Sequence, residues 1–270
     1  MRVELRERTL GELLGVSLSL AADRFGALFL LLFVCNLPQV LVQAFLVPDP
    51  TPLDPALGSP VDPAAFFRDF FAAMGVWVPA ALIPYPFLQT AATLVAAQAF
   101  APEERPLSWV LRRSLRLYPR ALLVLAAIGL LNVVGVCPGM FVGYFVFAAW
   151  FYVALPVAVL EDRGWLEALQ RSRALARGHF GVLLALFLAL HFAVPFVIAP
   201  FAALFQFAFM NSPWAIALLQ GFLGMVVGVF PIVGPVVAYH HLRVVREHYD
   251  IQRLAELVDA VAPDGVGARS

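Results

Sequence analysis

Five ionisable side chains near the C-terminal end have the types that bind metal ions or transfer protons. They are His240, His241, Glu247, His248 and Asp250. Imidazole and carboxylate groups are the nitrogen and oxygen ligands of zinc sites. On a helix, however, His241 and His248 would stand about 10 Å apart along the axis, which is too far for one ion. The spacing therefore favours a solvated helix face, and we predict neither a metal nor a cofactor.

No other stretch has the spacing of a known catalytic motif. The sequence holds no Gly-x-Ser-x-Gly, His-Glu-x-x-His, phosphate-binding loop or paired Cys-x-x-Cys pattern. The aspartates of the Pro/Asp-rich stretch 47–65 lack the alternating spacing of a calcium loop. We accordingly predict that the chain is not an enzyme.

Three polar residues within apolar segments form a candidate intramembrane polar site. His191 lies near the middle of the fifth apolar segment, where a neutral imidazole hydrogen-bonded between helices is the favoured interpretation. Asn132 and Gln89 could form similar bonds, or they could line a polar cavity together with His191. Both alternatives stay open at this point.

The elements that must position these residues are apolar helices. Of 270 residues, 62% are hydrophobic and 13% are charged, and the mean hydropathy is +0.86. These values exclude a water-soluble globule and a disordered chain, and the net charge of zero gives no basic field for nucleic acid. We predict an all-α integral membrane protein with one domain over 1–258 and a flexible tail over 259–270. Its six transmembrane helices are expected at about 26–46, 71–100, 121–136, 140–160, 180–210 and 214–240.

Turn residues and arginines predict how the spans are connected and oriented. Cys137-Pro138-Gly139 joins the third and fourth spans and Asn211-Ser212-Pro213 joins the fifth and sixth, so we expect three helical hairpins. Seventeen of the 18 arginines fall on one side of the predicted membrane, and only Arg68 falls on the other. Because positive residues stay cytoplasmic, both termini are expected inside and the Pro/Asp-rich loop outside.

A short pattern recurs before each odd-numbered span. Leu14-x-x-Ser17-x-x-Leu20, Leu111-x-x-Ser114-x-x-Leu117 and Leu169-x-x-Ser172-x-x-Leu175 predict an internal repeat of one cytoplasmic amphipathic interfacial helix and one hairpin. The polar faces of the second and third copies carry arginines that could contact anionic lipid head groups. These candidate contacts are Arg112, Arg113, Arg116, Arg120, Arg171, Arg173 and Arg177. Alternatively, the arginine stems only seal the inner surface of the bundle.

Three stretches carry a resemblance to a known family: VGVCPGM at 134–140, ALPVAVLE at 154–161 and EALQRSRALARGHF at 167–180. The chain resembles the membrane domain found in some bacterial glycerophosphoryl diester phosphodiesterases and in many stand-alone bacterial membrane proteins of unknown function. The similarity extends from Thr9 to the tail at 239–255. It implies a protein of the bacterial cytoplasmic (inner) membrane and no catalytic residues. In the enzymes the phosphodiesterase is a separate soluble domain, which we do not expect in this chain.

Two functions follow as hypotheses. The first is a non-catalytic scaffold or regulator that binds membrane lipids or a protein partner at the cytoplasmic face. The alternative is a transporter or permease for a small apolar or lipid-like molecule, since internal repeats and proline-interrupted spans are features of transporters. A cavity near His191 would favour the alternative.

Overall fold

A computed structural model describes residues 3–4, 6–45, 68, 75, 79–80, 82–101, 104–139, 142–209 and 212–248. This part of the chain is helical and contains no strand, which confirms the predicted all-α class. The helices are α1 (Leu10–Asp23), α2 (Phe25–Phe45), α3 (Tyr85–Ala97), α4 (Leu107–Gly139), α5 (Val142–Trp150), α6 (Ala154–Leu160), α7 (Trp165–Ala176), α8 (Phe180–Leu188), α9 (Val194–Ala208) and α10 (Pro213–Glu247).

Five stretches of the described chain are long and apolar enough to cross a membrane. They are Phe25–Ala44, Leu107–Gly135, Val142–Leu160, Phe180–Ala208 and Trp214–Glu247. Of the predicted span 71–100, the structure describes chiefly α3 and the 3₁₀ turn Gln98–Phe100 that follows it. The loop 47–65 and the tail 259–270 lie outside the described residues.

The three predicted amphipathic helices differ in where they end. α1 is separated from α2 at Arg24, and α7 from α8 at the connection around Gly178, whose φ of +82° favours glycine. The second amphipathic stretch, by contrast, is not a helix of its own. α4 continues from Leu107 through Pro119 to Gly139, because no glycine or left-handed residue interrupts it before the apolar part begins.

Two of the apolar stretches, Val142–Leu160 and Phe180–Ala208, contain local irregularities near prolines. α5 and α6 are separated by a turn at residues 151–153, just before Pro156. Between α8 and α9 lies a π-helical turn, Ala189–Ala193, which contains His191. Pro195 follows this turn and has no N–H to donate to the carbonyl one turn earlier, so the regular α-helical hydrogen bonding is interrupted there.

α10 is the central packing element. It packs most extensively against α2 and also contacts α1, α3 and α9. α4 packs against α5, and their backbones meet at two glycines: a Cβ atom added at Gly135 would lie 2.7 Å from the carbonyl carbon of Gly143. Small residues allow such close crossings between apolar helices.

The three serines of the recurring pattern are all fully buried. Ser17 and Ser114 donate 2.8 Å hydrogen bonds to carbonyl oxygens one turn earlier in their own helices. Ser172 instead donates across elements, to the carbonyl oxygen of Trp150 at 2.9 Å. The serine in α7 therefore ties two elements together, which the other two do not.

This difference predicts unequal effects of alanine substitution. Ser172→Ala should lower the free energy of unfolding by about 1 kcal/mol, because a hydrogen bond between elements is lost. Ser114→Ala should change it by less than about 0.5 kcal/mol, because the accepting carbonyl keeps its helical environment. Equilibrium unfolding in mixed micelles measures both values, and equal losses would contradict the assignment.

Candidate functional site

Five side chains from the end of α6, from α7 and from α10 form a ring of polar contacts, and Arg163 also pairs with one of them, Glu161, at 2.7 Å. Glu161 accepts from Arg171 Nε at 3.3 Å and from the Tyr239 hydroxyl at 3.1 Å. Arg171 also pairs with Glu247, which accepts from Arg243 Nε at 3.0 Å. Arg243 Nη1 donates back to the Tyr239 oxygen at 3.3 Å. We call this set the carboxylate network.

The carboxylate network gives Arg171 a structural role. Its side chain is 24% exposed, and the carboxylates of Glu161 and Glu247 are 11% and 23% exposed. Burial opposes the charge of Arg171, but its hydrogen bonds and ion pairs with Glu247 and Glu161 outweigh burial and raise its pKa. Because two carboxylates already occupy this guanidinium, Arg171 no longer belongs among the candidate lipid head-group contacts.

The other predicted head-group contacts fall into two groups. Arg113 and Arg120 both pair with Asp162, Arg113 at 3.5 Å, and Arg173 lies 4.9 Å from the centre of the Trp150 ring. Asp162 is 59% exposed, so its pairs contribute little, about 0–1 kcal/mol. Within the described chain, the remaining three are exposed and have no ion pair. They are Arg112, Arg116 and Arg177.

Arg112 and Arg116 lie on the outward side of α4, where it changes from charged to apolar. Leu115, between them, is 64% exposed. Seven residues further on, Leu122 and Leu123 are exposed on the same side, and Leu130 follows. Guanidinium groups beside an exposed apolar stripe are typical of a helix at a membrane interface.

His191 is surrounded by aromatic side chains. Its Nδ1 atom lies 3.0 Å from the carbonyl oxygen of Phe187, one turn earlier, and its ring stacks on Phe187 at 4.2 Å. The ring of Tyr152 stands edge-on to His191 at 6.5 Å. The hydrogen bond is thus within one helix and not between helices as the favoured interpretation expected.

Tyr152 carries a buried polar atom without a partner in the described chain. The residue is 8% exposed, and its hydroxyl makes no hydrogen bond to any described residue. This hydroxyl fits against Gly234 of α10, where an added Cβ atom would overlap both it and Leu190 Cδ1. Sequence reasoning missed Tyr152, because nothing distinguishes it from the many aromatic residues around it.

Gln89 and Asn132 lie apart from these contacts. Gln89 lies one turn after Tyr85 in α3 and interacts with its hydroxyl. Asn132 lies one turn before Gly135, and its Oδ1 atom is buried without a hydrogen bond in the described part of the chain. The described hydrogen bonds link neither residue to His191, so the shared polar cavity stays a prediction.

Substitution of Tyr152 tests the energetic effect of its buried hydroxyl. Tyr152→Phe is expected to raise the free energy of unfolding by about 1 kcal/mol, because it removes a buried oxygen that has no partner among the described residues. Gly234→Ala should lower it by about 2 kcal/mol through overlap with that oxygen, and the double variant should recover much of the loss. Thermal and equilibrium unfolding measure these changes. A destabilised Tyr152→Phe variant would instead show that the hydroxyl binds a ligand or water.

His240 and His241 do not form the solvated face expected from sequence. They are 7% and 4% exposed, because the first residues of the chain and the 3₁₀ turn after α3 cover them. His240 stacks on Phe100 at 4.1 Å, and His241 stands edge-on to His179 at 6.4 Å. The described residues contain no group of three side chains able to hold a metal ion.

No family model, curated protein or solved structure matches this chain. Its function must therefore be argued from the geometry of its own residues. Two features of that geometry bear on function: the exposed arginines of α4, and the buried Tyr152 hydroxyl beside His191.

Proposed function

We propose that this chain is a non-catalytic bacterial inner-membrane protein that binds anionic phospholipid head groups and serves as a lipid- or partner-binding scaffold. The observation that carries the proposal is the pair Arg112 and Arg116. Both are exposed without an ion pair in the described chain, at the place where the outward side of α4 becomes apolar. Each arginine near an anionic lipid surface contributes about 1 kcal/mol.

The proposed topology has six transmembrane helices in three hairpins, with 71–100 as the second span. α1 and α7 are the interfacial helices of the first and third units. In the second unit the N-terminal part of α4 has this role. The 33 residues of α4 measure about 50 Å, which exceeds a hydrocarbon core of about 30 Å, so part of the helix extends beyond the core. The arginine distribution favours a cytoplasmic location for both termini. The resemblance of 134–140, 154–161 and 167–180 to the phosphodiesterase membrane domain is part of the same proposal.

Lipid retention tests the proposal. The purified protein is mixed with equal amounts of phosphatidylglycerol and phosphatidylcholine in micelles, and retained lipids are counted by native mass spectrometry. We expect preferential retention of phosphatidylglycerol, reduced roughly tenfold in the double variant Arg112→Gln/Arg116→Gln. Arg120→Gln is the matched control on the same helix, because Arg120 already pairs with Asp162. Equal retention of both lipids by the unaltered protein would refute the proposal.

The second proposal is a transporter or permease for a small apolar or lipid-like molecule. It is supported by the Tyr152 hydroxyl without a partner in the described chain, beside the π-helical turn that contains His191. Such turns are frequent at functional sites. In proteoliposomes, flux of a fluorescent lipid that is abolished by Tyr152→Phe, with the fold intact, would favour transport over the scaffold.

A further inference from the structure

We propose that Arg8, His179, His241 and Arg246, here called the cationic cluster, bind a phosphate group. The inference deepens the proposed lipid binding and rests on it where the phosphate belongs to a lipid. It concerns residues other than the exposed arginines of α4, so the two can fail separately.

Arg8 is a buried charge that forms no close ion pair with the described residues, although Glu12 and Glu4 interact with it electrostatically at longer range. It is 8% exposed, and it donates to the backbone carbonyls of Glu4 and Arg6. Its Nε atom is buried without an acceptor, and no carboxylate in the described chain lies within ion-pair distance. Burial, followed by the nearby Arg6, lowers its pKa. Because a buried cation is costly unless it is paired, these surroundings favour a bound anion.

His241 adds a second buried group that lacks a partner in the described chain. It is 4% exposed, and its Nδ1 atom makes no hydrogen bond to any described residue. The imidazole interacts electrostatically with His179, Glu7 and Arg8. Two of these neighbours are basic, and Glu7 is exposed. With two basic neighbours, the surroundings of His241 suit an anion that accepts a hydrogen bond from its Nδ1 atom.

His179 also places the start of a helix at the cluster. It is the N-cap residue of the nine-residue α8, and its side chain forms no capping hydrogen bond with that helix. The first backbone N–H groups of a helix have no acceptor within the helix, and together with the helix dipole they bind anions. The Nε atom of Arg8 and the Nδ1 atom of His241, which are buried without a hydrogen-bond partner among the described residues, are the independent evidence for a ligand here.

Arg246 connects the end of α10 to the same place. It donates to the carbonyl oxygen of Arg177, and its Nη2 atom lies 3.9 Å from the position of a Cβ atom at Gly178. Donors thus converge from the first residues of the chain, the α7–α8 connection and the end of α10. A phosphate group has several acceptor oxygens and a charge suited to such a set of cationic donors. The position beside the polar ends of apolar helices is also where lipid phosphates lie.

Two parallel measurements test the site and distinguish its sources of phosphate. The first is the melting temperature of the purified protein in sodium phosphate and in sodium chloride at equal ionic strength. The second is native mass spectrometry of lipid adducts with phosphatidylglycerol and with diacylglycerol, which lacks phosphate. The variants are Arg8→Met and, at the exposed edge, Arg246→Gln. Arg120→Gln is the control, because this arginine of α4 already pairs with Asp162.

We expect at least tenfold weaker phosphate-dependent binding in Arg8→Met, and a smaller loss in Arg246→Gln. If phosphate raises the melting temperature of the unaltered protein but not of Arg8→Met, the site takes free phosphate. If Arg8→Met loses only the phosphatidylglycerol adducts, the site binds a lipid phosphate. An Arg8→Met variant that is less stable but keeps the full phosphate response would show a purely structural role and overturn the proposal. A lack of response by the unaltered protein in both measurements would overturn it as well.

The variants distinguish a failure of the cationic cluster from a failure of the proposed lipid binding by α4. Loss of phosphatidylglycerol preference in Arg112→Gln/Arg116→Gln, with no effect of Arg8→Met, would leave the α4 surface as the lipid contact and reject the cationic cluster. Loss of the preference in Arg8→Met, with no effect of Arg112→Gln/Arg116→Gln, would reject the α4 surface and support the cationic cluster.

Discussion

Gly143→Leu is expected to lower the free energy of unfolding by about 3 kcal/mol or to prevent α4 and α5 from packing. The two helices cross with their backbones in contact, and a Cβ atom at Gly143 would overlap the Gly135 carbonyl oxygen. The obstructing atoms belong to the backbone, so no side-chain rotation can relieve the overlap. Equilibrium unfolding in mixed micelles measures the loss.

Gly129→Leu is the matched control for this substitution. Gly129 lies on the same helix, but its added Cβ atom would meet nothing within 4 Å. We expect that variant to remain within about 0.5 kcal/mol of the unaltered protein. Similar losses at both positions would show that leucine disturbs α4 itself and that the close crossing is not the cause.

Arg171→Met is expected to lower the free energy of unfolding by about 2 kcal/mol. The substitution leaves the carboxylates of Glu161 and Glu247 without their shared cation at a site where each is less than a quarter exposed. Breaking a fully buried ion pair costs about 3–5 kcal/mol, and partial exposure reduces that value. Chemical unfolding at neutral pH gives the measurement.

A double-mutant cycle separates the pair from the single residues. Adding Glu247→Gln to Arg171→Met should restore part of the stability, because one of the two carboxylates that lost their shared cation becomes neutral. Arg112→Met is the control, since this arginine has no ion pair in the described chain and should change stability by less than about 0.5 kcal/mol. Additive effects of the two substitutions would argue against the carboxylate network.

The apolar helices were predictable from sequence because a membrane-spanning helix needs a long run of apolar residues. The first and fifth predicted spans differ from the structure by only one or two residues at their ends. The boundary between the amphipathic helix and the apolar helix, by contrast, was not predictable from sequence. Pro119 does not end α4, whereas Gly178 does separate α7 from α8.

The candidate site depended on contacts between residues distant in sequence. Glu161 and Tyr239 are 78 positions apart, and nothing local to either predicts their hydrogen bond. Burial of His240 and His241 depends on how the first residues of the chain fold back, which periodicity does not report. The π-helical turn arises from one missing backbone donor at Pro195, together with packing that a single sequence does not reveal.

The packing of α2 against α10 also has a consequence for how the protein is made. The helix that begins at residue 25 finds its most extensive partner in the helix that ends at residue 247. During synthesis, α2 cannot make this contact until α10, which begins at residue 213, has been made. Arg171 likewise waits for Glu247, which α10 brings. Among the helices described here, the earliest ones are therefore without their main packing partner until the last one has formed.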